Sequence, residues 1–190
     1  MNRLILASGS PRRKELLQNV FIPFEVSVSH IEEHISDLLP PSQIVEQLAH
    51  QKANAVYEQH RDCVVLGADT VVTLDENILG KPKNKEDVRQ MLLMLSGRKH
   101  LVYTGVAIIS REKTCLFHGK TEVTFYDLTD EEIHAYISSG EPYDKAGGYG
   151  IQGLGAVLVQ EIHGDYFNVV GLPLARTVRE LKKFGITLST

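Results

Sequence analysis

Residues 4–13 read LILASGSPRR, and this stretch predicts how the fold begins. Residues 4–7 form a short apolar run that we interpret as a buried strand. Ser10 is a good N-cap and Pro11 suits the first helical position, so a helix is expected over about residues 11–19. A buried strand followed at once by a helix is typical of α/β proteins.

The first turn of this predicted helix carries an unusual positive charge. A helix N-terminus is itself partly positive, yet Arg12, Arg13 and Lys14 crowd it. A bound anion would reverse the penalty, because the helix dipole, the backbone amides and the guanidinium groups would then act together. Ser8 and Ser10 add hydroxyl donors. The turn therefore predicts an anion-binding site, with a solvated basic surface turn as the alternative.

The rest of the chain alternates between strand-like and helix-like patterns. Residues 63–68 (CVVLGA) are a fully apolar run that predicts a central strand, continued at 71–74 and turning at 75–77. Further strands are expected at residues 101–109, 115–126 and 157–162, and helices at about residues 42–59, 84–96, 129–138 and 173–185. Because βα units are mixed with antiparallel hairpins, we expect an α/β fold: a mixed sheet flanked by helices, with a cleft.

Composition narrows the class of protein. With 190 residues, 43% hydrophobic and 23% charged, the chain is typical of a soluble globular protein with one domain or two small lobes. Cys63 and Cys115 are expected to be reduced core thiols. We find neither a signal peptide nor an apolar run long enough to span a membrane, and predict a cytoplasmic location. The net charge of −4 argues against a nucleic-acid-binding surface.

Two charged residues are candidates for chemistry. Lys52 lies on the core-facing stripe of the second predicted helix, so its ammonium must extend to solvent or meet a carboxylate or a phosphate. Glu32 and Glu33 are possible partners. Asp69 is expected at the carboxyl end of the central strand, where α/β sheets place active sites. It could bind a divalent metal or act as general base toward water, and a structural turn or cap aspartate is the alternative.

A glycine-rich segment is the other candidate. Residues 141–153 read EPYDKAGGYGIQG; the glycines permit close backbone approach, and the amide of Gln152 is suited to reading a base edge. A flexible surface loop is the alternative. Lys81, between Gly80 and Pro82, either returns to the same cleft or is a turn lysine.

Several other kinds of site are disfavoured by what the sequence lacks. There is no P-loop motif, no dinucleotide-binding GxGxxG after a strand and no GxSxG nucleophile motif. The histidines show no metal-ligand spacing. A hydrolase that uses metal-activated water therefore fits better than one that uses a covalent intermediate.

Read together, these segments closely resemble the Maf family of nucleoside triphosphate pyrophosphatases, also called septum-formation inhibitor proteins. The matching pieces are LASGSPRR at 6–13, Glu33, QKA at 51–53, GADTVV at 67–72, GKP at 80–82, LSGRKH at 95–100, YTGVAI at 103–108, EPYDKAGGYGIQG at 141–153 and NVVGLP at 168–173. They follow the family's order over almost the whole chain. One small departure is Glu32, which stands where an aspartate is common.

The resemblance implies a fold similar to that of the inosine triphosphate pyrophosphatases: a single domain over residues 1–190 whose two lobes share a deep active-site cleft. It implies cleavage between the α- and β-phosphates of a nucleoside triphosphate, with Mg²⁺ or Mn²⁺ as cofactor, in a protein that is commonly a homodimer. It also implies roles in excluding modified nucleotides and in cell-division arrest. A non-catalytic, nucleotide-sensing regulator of septum formation is the alternative function.

The resemblance also assigns roles to residues. Asp69 is implied as the proton acceptor for the attacking water, and the selection of substrate falls to Arg12, Thr70 and Gln152. This combination is similar to that of the subfamily that prefers dTTP and UTP over 7-methyl-GTP. The residues implied to clamp the triphosphate are Ser8, Arg12, Arg13, Lys52 and Lys81. The metal ligands implied are Glu33 and Asp69, with Glu122 or Asp144 as further candidates.

Overall fold

A computed structural model describes residues 2–29, 39–75 and 77–188. In these ranges the helices are α1 (Pro11–Asn19), α2 (Pro41–Tyr57), α3 (Lys85–Leu95), α4 (Asp130–Ser138), α5 (Tyr166–Val170) and α6 (Leu174–Lys183). The strands are β1 (Leu4–Leu6), β2 (Glu25–Val26), β3 (Val64–Leu74), β4 (Asn77–Leu79), β5 (Lys99–Ile109), β6 (Thr114–Phe125) and β7 (Val159–His163). No helix in the described ranges is both long enough and apolar enough to cross a membrane.

The seven strands form one mixed sheet. Their order is β2-β1-β3-β5-β6-β7, and β4 pairs with β3 outside this path. Strand β1 is parallel to both neighbours, with Ile5 opposite Glu25 on one side and Val65 on the other. Strand β4 is antiparallel to β3, and β7 is antiparallel to β6. The predicted α/β class, with a mixed sheet flanked by helices, is confirmed.

Local capping signals predicted helix ends well. Helix α1 has the predicted bounds, and the Ser10 side chain accepts a hydrogen bond from the backbone N–H of Arg13. Helix α4 begins with a full capping box, in which Thr129 and Glu132 each accept a hydrogen bond from the other's backbone N–H. Both predictions rest on contacts within one helical turn, which are visible in the sequence.

Strand β2 and helix α5 are among the short elements that were not predicted, and one predicted strand begins at a later residue than expected. Strand β2 has only two residues, both exposed, and α5 has only five, so neither is long enough to show a periodic pattern. The strand predicted at 157–162 begins at Val159, because Gly153–Leu158 forms a 3-10 helix.

The position of Asp69 in the sheet differs from the prediction. Strand β3 continues from Val64 to Leu74 without a break, so Asp69 lies in its middle, and the expectation that it ends the strand is wrong. Asp69 and Thr70 are half-buried, whereas the strand residues on both sides of them are buried. Two polar side chains interrupt the apolar run, but their backbone stays extended.

The chain divides into two compact units. The first comprises Met1–Asp69, Thr104–Gly119 and Gly171–Thr190, and the second comprises Thr70–Tyr103 and Lys120–Val170. Each has its own apolar core. In the first unit, residues of β1, α2, β3 and β5 pack together; in the second, α3 and α4 contribute to a larger cluster. The predicted single cleft stays a prediction.

Helix α2 packs very closely on the sheet of the first unit. A Cβ atom built on Gly67 of β3 would lie 2.4 Å from the carbonyl oxygen of Ala49. One built on Gly105 of β5 would lie 2.1 Å from the carbonyl oxygen of Val45. Both distances are far shorter than any real contact, so the helix can lie here only because neither strand position has a side chain.

We predict that Gly67→Ala destabilises the protein by about 1–3 kcal/mol, because the new methyl group overpacks the contact between α2 and β3. Gly80→Ala is the matched control, since a Cβ there has no neighbour within 4 Å. It should change the free energy of unfolding by about 0.5 kcal/mol or less. Urea unfolding of both variants checks this, and equal midpoints for the two would contradict it.

Candidate functional site

The turn after β1 is folded by its own side chains. The backbone N–H of Ala7 donates to the carbonyl of Leu66 at 2.8 Å, which continues the parallel pairing with β3. Ser8 is buried, and its Oγ accepts hydrogen bonds from the N–H of Ser10 at 3.3 Å and from the guanidinium of Arg13 at 3.1 Å. The first turn of α1 contains no acidic residue. The positive helix terminus is thus left without a carboxylate from its own first turn, as an anion site requires.

Arg13 links this turn to the segment before α6. Its Nε donates to the carbonyl of Gly171 at 2.7 Å, while its Nη1 bonds Ser8. Burial lowers the pKa of Arg13, whereas the nearby carboxylate of Asp69 raises it and Arg12 lowers it. The guanidinium remains a cation at neutral pH in any case. Arg13 therefore has a structural role that the sequence did not predict. Gly171 belongs to the segment NVVGLP, which matches the family but to which the sequence analysis assigned no role.

Lys52 and Asp69 form an ion pair within the first unit. The Nζ of Lys52 donates to Oδ1 of Asp69, and their side chains are only 20% and 14% exposed. The expectation that Lys52 extends to solvent or meets a carboxylate or a phosphate is met by Asp69. The suggested partners Glu32 and Glu33 lie outside the described residues. Gly67 and Asp69 share one face of β3, so the packing that brings α2 onto Gly67 also brings Lys52 to the carboxylate.

The remaining site residues are found as follows. Arg12 is half-buried in the first turn of α1, and belongs to the first unit with Ser8, Arg13, Lys52 and Asp69. Thr70, Lys81 and Gln152 belong to the second unit. Thr70 and Gln152 are half-buried, and Lys81 is exposed.

In the second unit, Lys81 lies beside the glycine-rich segment. The backbone N–H of Gly147 donates to the carbonyl of Gly80 at 3.0 Å. Gly147 has a φ of +71°, and a Cβ there would lie 3.0 Å from the side chain of Val72. Glycine is required at this position by both conformation and space. The residue before Lys81 is thus bonded to the glycine-rich segment, and the prediction that Lys81 lines a cleft stays a prediction.

The glycine-rich segment is ordered by hydrogen bonds, unlike the flexible loop of the alternative interpretation. The Glu141 carboxylate accepts hydrogen bonds from the N–H groups of Leu154 and Gly155, at 3.0 and 3.3 Å. The Tyr136 hydroxyl accepts one from the N–H of Gly150 at 3.1 Å. These bonds hold the backbone on both sides of Gln152.

Known proteins resemble this chain over nearly its whole length. The model of one protein family, described as Maf-like protein, matches residues 3–184. The chain belongs to the Maf family. A Bacillus cereus (strain G9842) protein named dTTP/UTP pyrophosphatase is 60% identical over 189 residues, which cover 100% of this chain and 99% of that protein. A Bacillus mycoides (strain KBAB4) protein of the same name is 61% identical over 184 residues, covering 97% and 96%.

One solved structure supports the fold assignment of this Maf-family chain. The Staphylococcus aureus Ham1 protein aligns with a TM-score of 0.50 over 66% of this chain and 73% of that one, with 16% identity. At this identity the likeness concerns the fold alone, and it agrees with the predicted α/β class.

The residues suggested as metal ligands are found as follows. Glu33 lies outside the described residues. Glu122 accepts a hydrogen bond from Lys99 at 2.8 Å, and Asp144 accepts one from Lys145 at 2.6 Å. Among the residues that the structure describes, no group of three His, Cys, Asp or Glu side chains is placed to hold a metal ion.

Two matching motifs of the family meet at a buried aromatic pair. The Nε2 of His100, from LSGRKH, lies 2.6 Å from the hydroxyl of Tyr149, from the glycine-rich segment. Both rings pack edge-on against Phe125, with centroids 5.0 and 4.6 Å away. Burial lowers the pKa of His100 to about 4 and raises the pKa of Tyr149. The pair is therefore neutral at physiological pH, and it fixes the glycine-rich segment to the start of β5.

We predict that His100 makes the protein less stable in acid. Its pKa is about 4 when folded and about 6.5 when unfolded, so the unfolded chain binds the proton first as the pH falls. The contribution of neutral His100 is complete above pH 6.5 and is lost progressively down to pH 4, by about 3 kcal/mol in total. His100→Gln should lose correspondingly less stability between pH 7 and 4.

The measurement is the free energy of urea unfolding at both pH values for wild type, His100→Gln and His134→Gln. His134 is exposed on α4 and serves as the control, so its variant should follow the wild type. Carboxylates titrate alike in all three proteins and cancel in the comparison. The same pH dependence in His100→Gln as in wild type would show the assignment to be wrong.

Proposed function

We propose that this protein hydrolyses dTTP and UTP to the nucleoside monophosphate and pyrophosphate. What carries the proposal is the 60% identity over the full chain to a protein named dTTP/UTP pyrophosphatase. The geometry supplies a suitable reactive group, because Asp69 is a half-buried carboxylate oriented by Lys52.

The proposed reaction needs one proton acceptor. The oxygen of a water molecule bonds to the α-phosphorus, and the bond from that phosphorus to the oxygen bridging the α- and β-phosphates breaks. Pyrophosphate leaves with this oxygen and its electron pair, and the proton of the water passes to Asp69. Lys52 orients the carboxylate and offsets its charge when no substrate is bound.

Charge neutralisation is the second requirement, because phosphoryl transfer depends on positioning and electrostatics more than on covalent help. We assign contacts with the triphosphate to Ser8, Arg12, Arg13, Lys52 and Lys81. The ordered turn at Ser8 and Arg13 supports this role, since its donors are held in place before a ligand arrives.

We propose that a divalent metal is the cofactor. Mg²⁺ is usually held by one or two carboxylates together with waters and substrate phosphates, so it does not need a group of three protein ligands. We assign Asp69 and Glu33 as its protein ligands, with Mg²⁺ or Mn²⁺ as the ion. When bound, the ion would neutralise negative charge on the phosphates.

The finer aspects of function are proposals from the family resemblance. Arg12, Thr70 and Gln152 select the pyrimidine nucleotide. The protein acts in the cytoplasm as a homodimer, excludes modified nucleotides from nucleic acids and contributes to cell-division arrest. Analytical ultracentrifugation tests the homodimer, and a single species with the mass of a monomer would contradict it.

We expect Asp69→Asn to bind dTTP but to lose at least about a hundredfold in kcat, because an amide cannot accept the proton. Asp62→Asn, at an exposed position just before β3, is the matched control and should keep wild-type kcat. Pyrophosphate release and equilibrium binding are measured on both variants. If Asp69→Asn keeps full kcat, Asp69 is not the proton acceptor.

Substrate preference is tested with a panel of canonical and modified triphosphates and Mg²⁺. We expect the highest kcat/KM for dTTP and UTP, with release of pyrophosphate rather than phosphate. A strong preference for a purine would contradict the specificity. Binding of nucleotides without any release of pyrophosphate would instead favour the nucleotide-sensing regulator.

A further inference from the structure

Gln152 occupies the N-cap position of a short helix, but its side chain does not cap that helix. It is the N-cap residue of the 3-10 helix Gly153–Leu158, with extended backbone at φ −89° and ψ 166°. An N-cap side chain commonly accepts hydrogen bonds from the N–H groups of the second and third helical residues. The Gln152 side chain makes no such bond.

Glu141 takes over the capping role. Its two carboxylate oxygens accept hydrogen bonds from the N–H groups of Leu154 and Gly155, which are the second and third residues of that helix. A charged acceptor at a helix N-terminus makes stronger bonds than a neutral one. The backbone donors next to Gln152 are therefore satisfied without using its amide.

The contact between Glu141 and this turn is tight. Gly153 has a φ of +63°, and a Cβ there would lie 2.6 Å from Oε1 of Glu141. On the other side of Gln152, the N–H of Gly150 donates to Tyr136, and a Cβ on Gly155 would lie 1.9 Å from the carbonyl oxygen of Gly150. The backbone that carries Gln152 is thus fixed from both sides.

We propose that Glu141 is a positioning residue for base selection: it caps the turn after Gln152 and so leaves the Gln152 amide to bind the base. This inference rests on the proposed function. Uracil and thymine share an edge with a carbonyl, an N–H and a second carbonyl. A fixed amide can donate its N–H to a carbonyl and accept the ring N–H through its oxygen.

Cytosine is the informative competitor. It has an amino group in place of the carbonyl at position 4 and an unprotonated ring nitrogen, so its pattern is reversed at these two atoms. An amide held in one orientation would reject it, whereas an amide free to turn over would accept both bases. UTP and CTP differ only at these atoms, so the ratio of their kcat/KM values measures how well Gln152 is held.

The test compares kcat and KM for UTP and CTP in wild type, Glu141→Ala, Glu141→Gln, Gln152→Ala and the double variant Glu141→Ala/Gln152→Ala. We expect Glu141→Ala to lower the UTP-to-CTP ratio about tenfold, mainly through the KM for UTP, as for the loss of one well-formed hydrogen bond. Glu141→Gln keeps one acceptor oxygen and should fall between. On the Gln152→Ala background, Glu141→Ala should change the ratio no further.

Glu131→Ala is the matched control, an exposed carboxylate in the first turn of α4, and should leave the ratio unchanged. Thermal unfolding of each variant verifies folding; Glu141→Gln carries the test if Glu141→Ala does not fold. A ratio unchanged in Glu141→Gln and Glu141→Ala, or an effect that adds to that of Gln152→Ala, would overturn the inference. Failure of the wild type to hydrolyse UTP or dTTP would instead reject the proposed function, before any variant is compared.

Discussion

The close approach of helix α2 to strand β3 is the contact on which the ion pair of the first unit depends. The carbonyl of Ala49 occupies the space where a side chain on Gly67 would stand. One turn of α2 then brings Lys52 to Asp69, two residues further along the same face of the strand. A bulkier residue at position 67 would move the helix outward and lengthen the distance from ammonium to carboxylate. The packing of α2 on β3 and the orientation of Asp69, the candidate general base, thus depend on the same contact.

The Lys52–Asp69 ion pair is largely shielded from solvent. Removing one partner from a pair that is so little exposed leaves a poorly solvated charge without its counter-charge, which is costly, so Lys52 and Asp69 stabilise each other. The guanidinium of Arg13 is in a similar position, because its burial is tolerable only with bonded N–H groups. Ser8 and Gly171 accept two of its hydrogen bonds. The cationic turn is therefore held in shape by contacts that involve no phosphate.

The sequence predicts what is decided locally and misses what is decided by distant partners. Ser10, Pro11 and Thr129 predict helix starts because their partners lie within one turn. The central strand is only partly predicted, since the polarity of Asp69 and Thr70 says nothing about whether their backbone stays in the sheet. Long-range contacts are not predicted at all. The bond from Arg13 to Gly171 joins residues 158 positions apart. Residue types at the candidate site are thus predicted, but their partners are not.

In the first unit another residue orients a candidate functional side chain, and in the second other residues hold the backbone beside one. Lys52 holds Asp69 in the first, and Glu141 and Tyr136 hold the backbone beside Gln152 in the second. Ordering a side chain or a loop on binding costs about 0.5–1.5 kcal/mol for each group immobilised. Where folding has already ordered these groups, that cost is not subtracted from the affinity for a ligand. Two glycines make this ordering possible, because they have no side chain. Gly67 leaves room for helix α2, and Gly153 leaves room for the carboxylate of Glu141. The motifs GADTVV and GGYGIQG therefore each combine a candidate functional residue with a glycine that lets the residue supporting it come close.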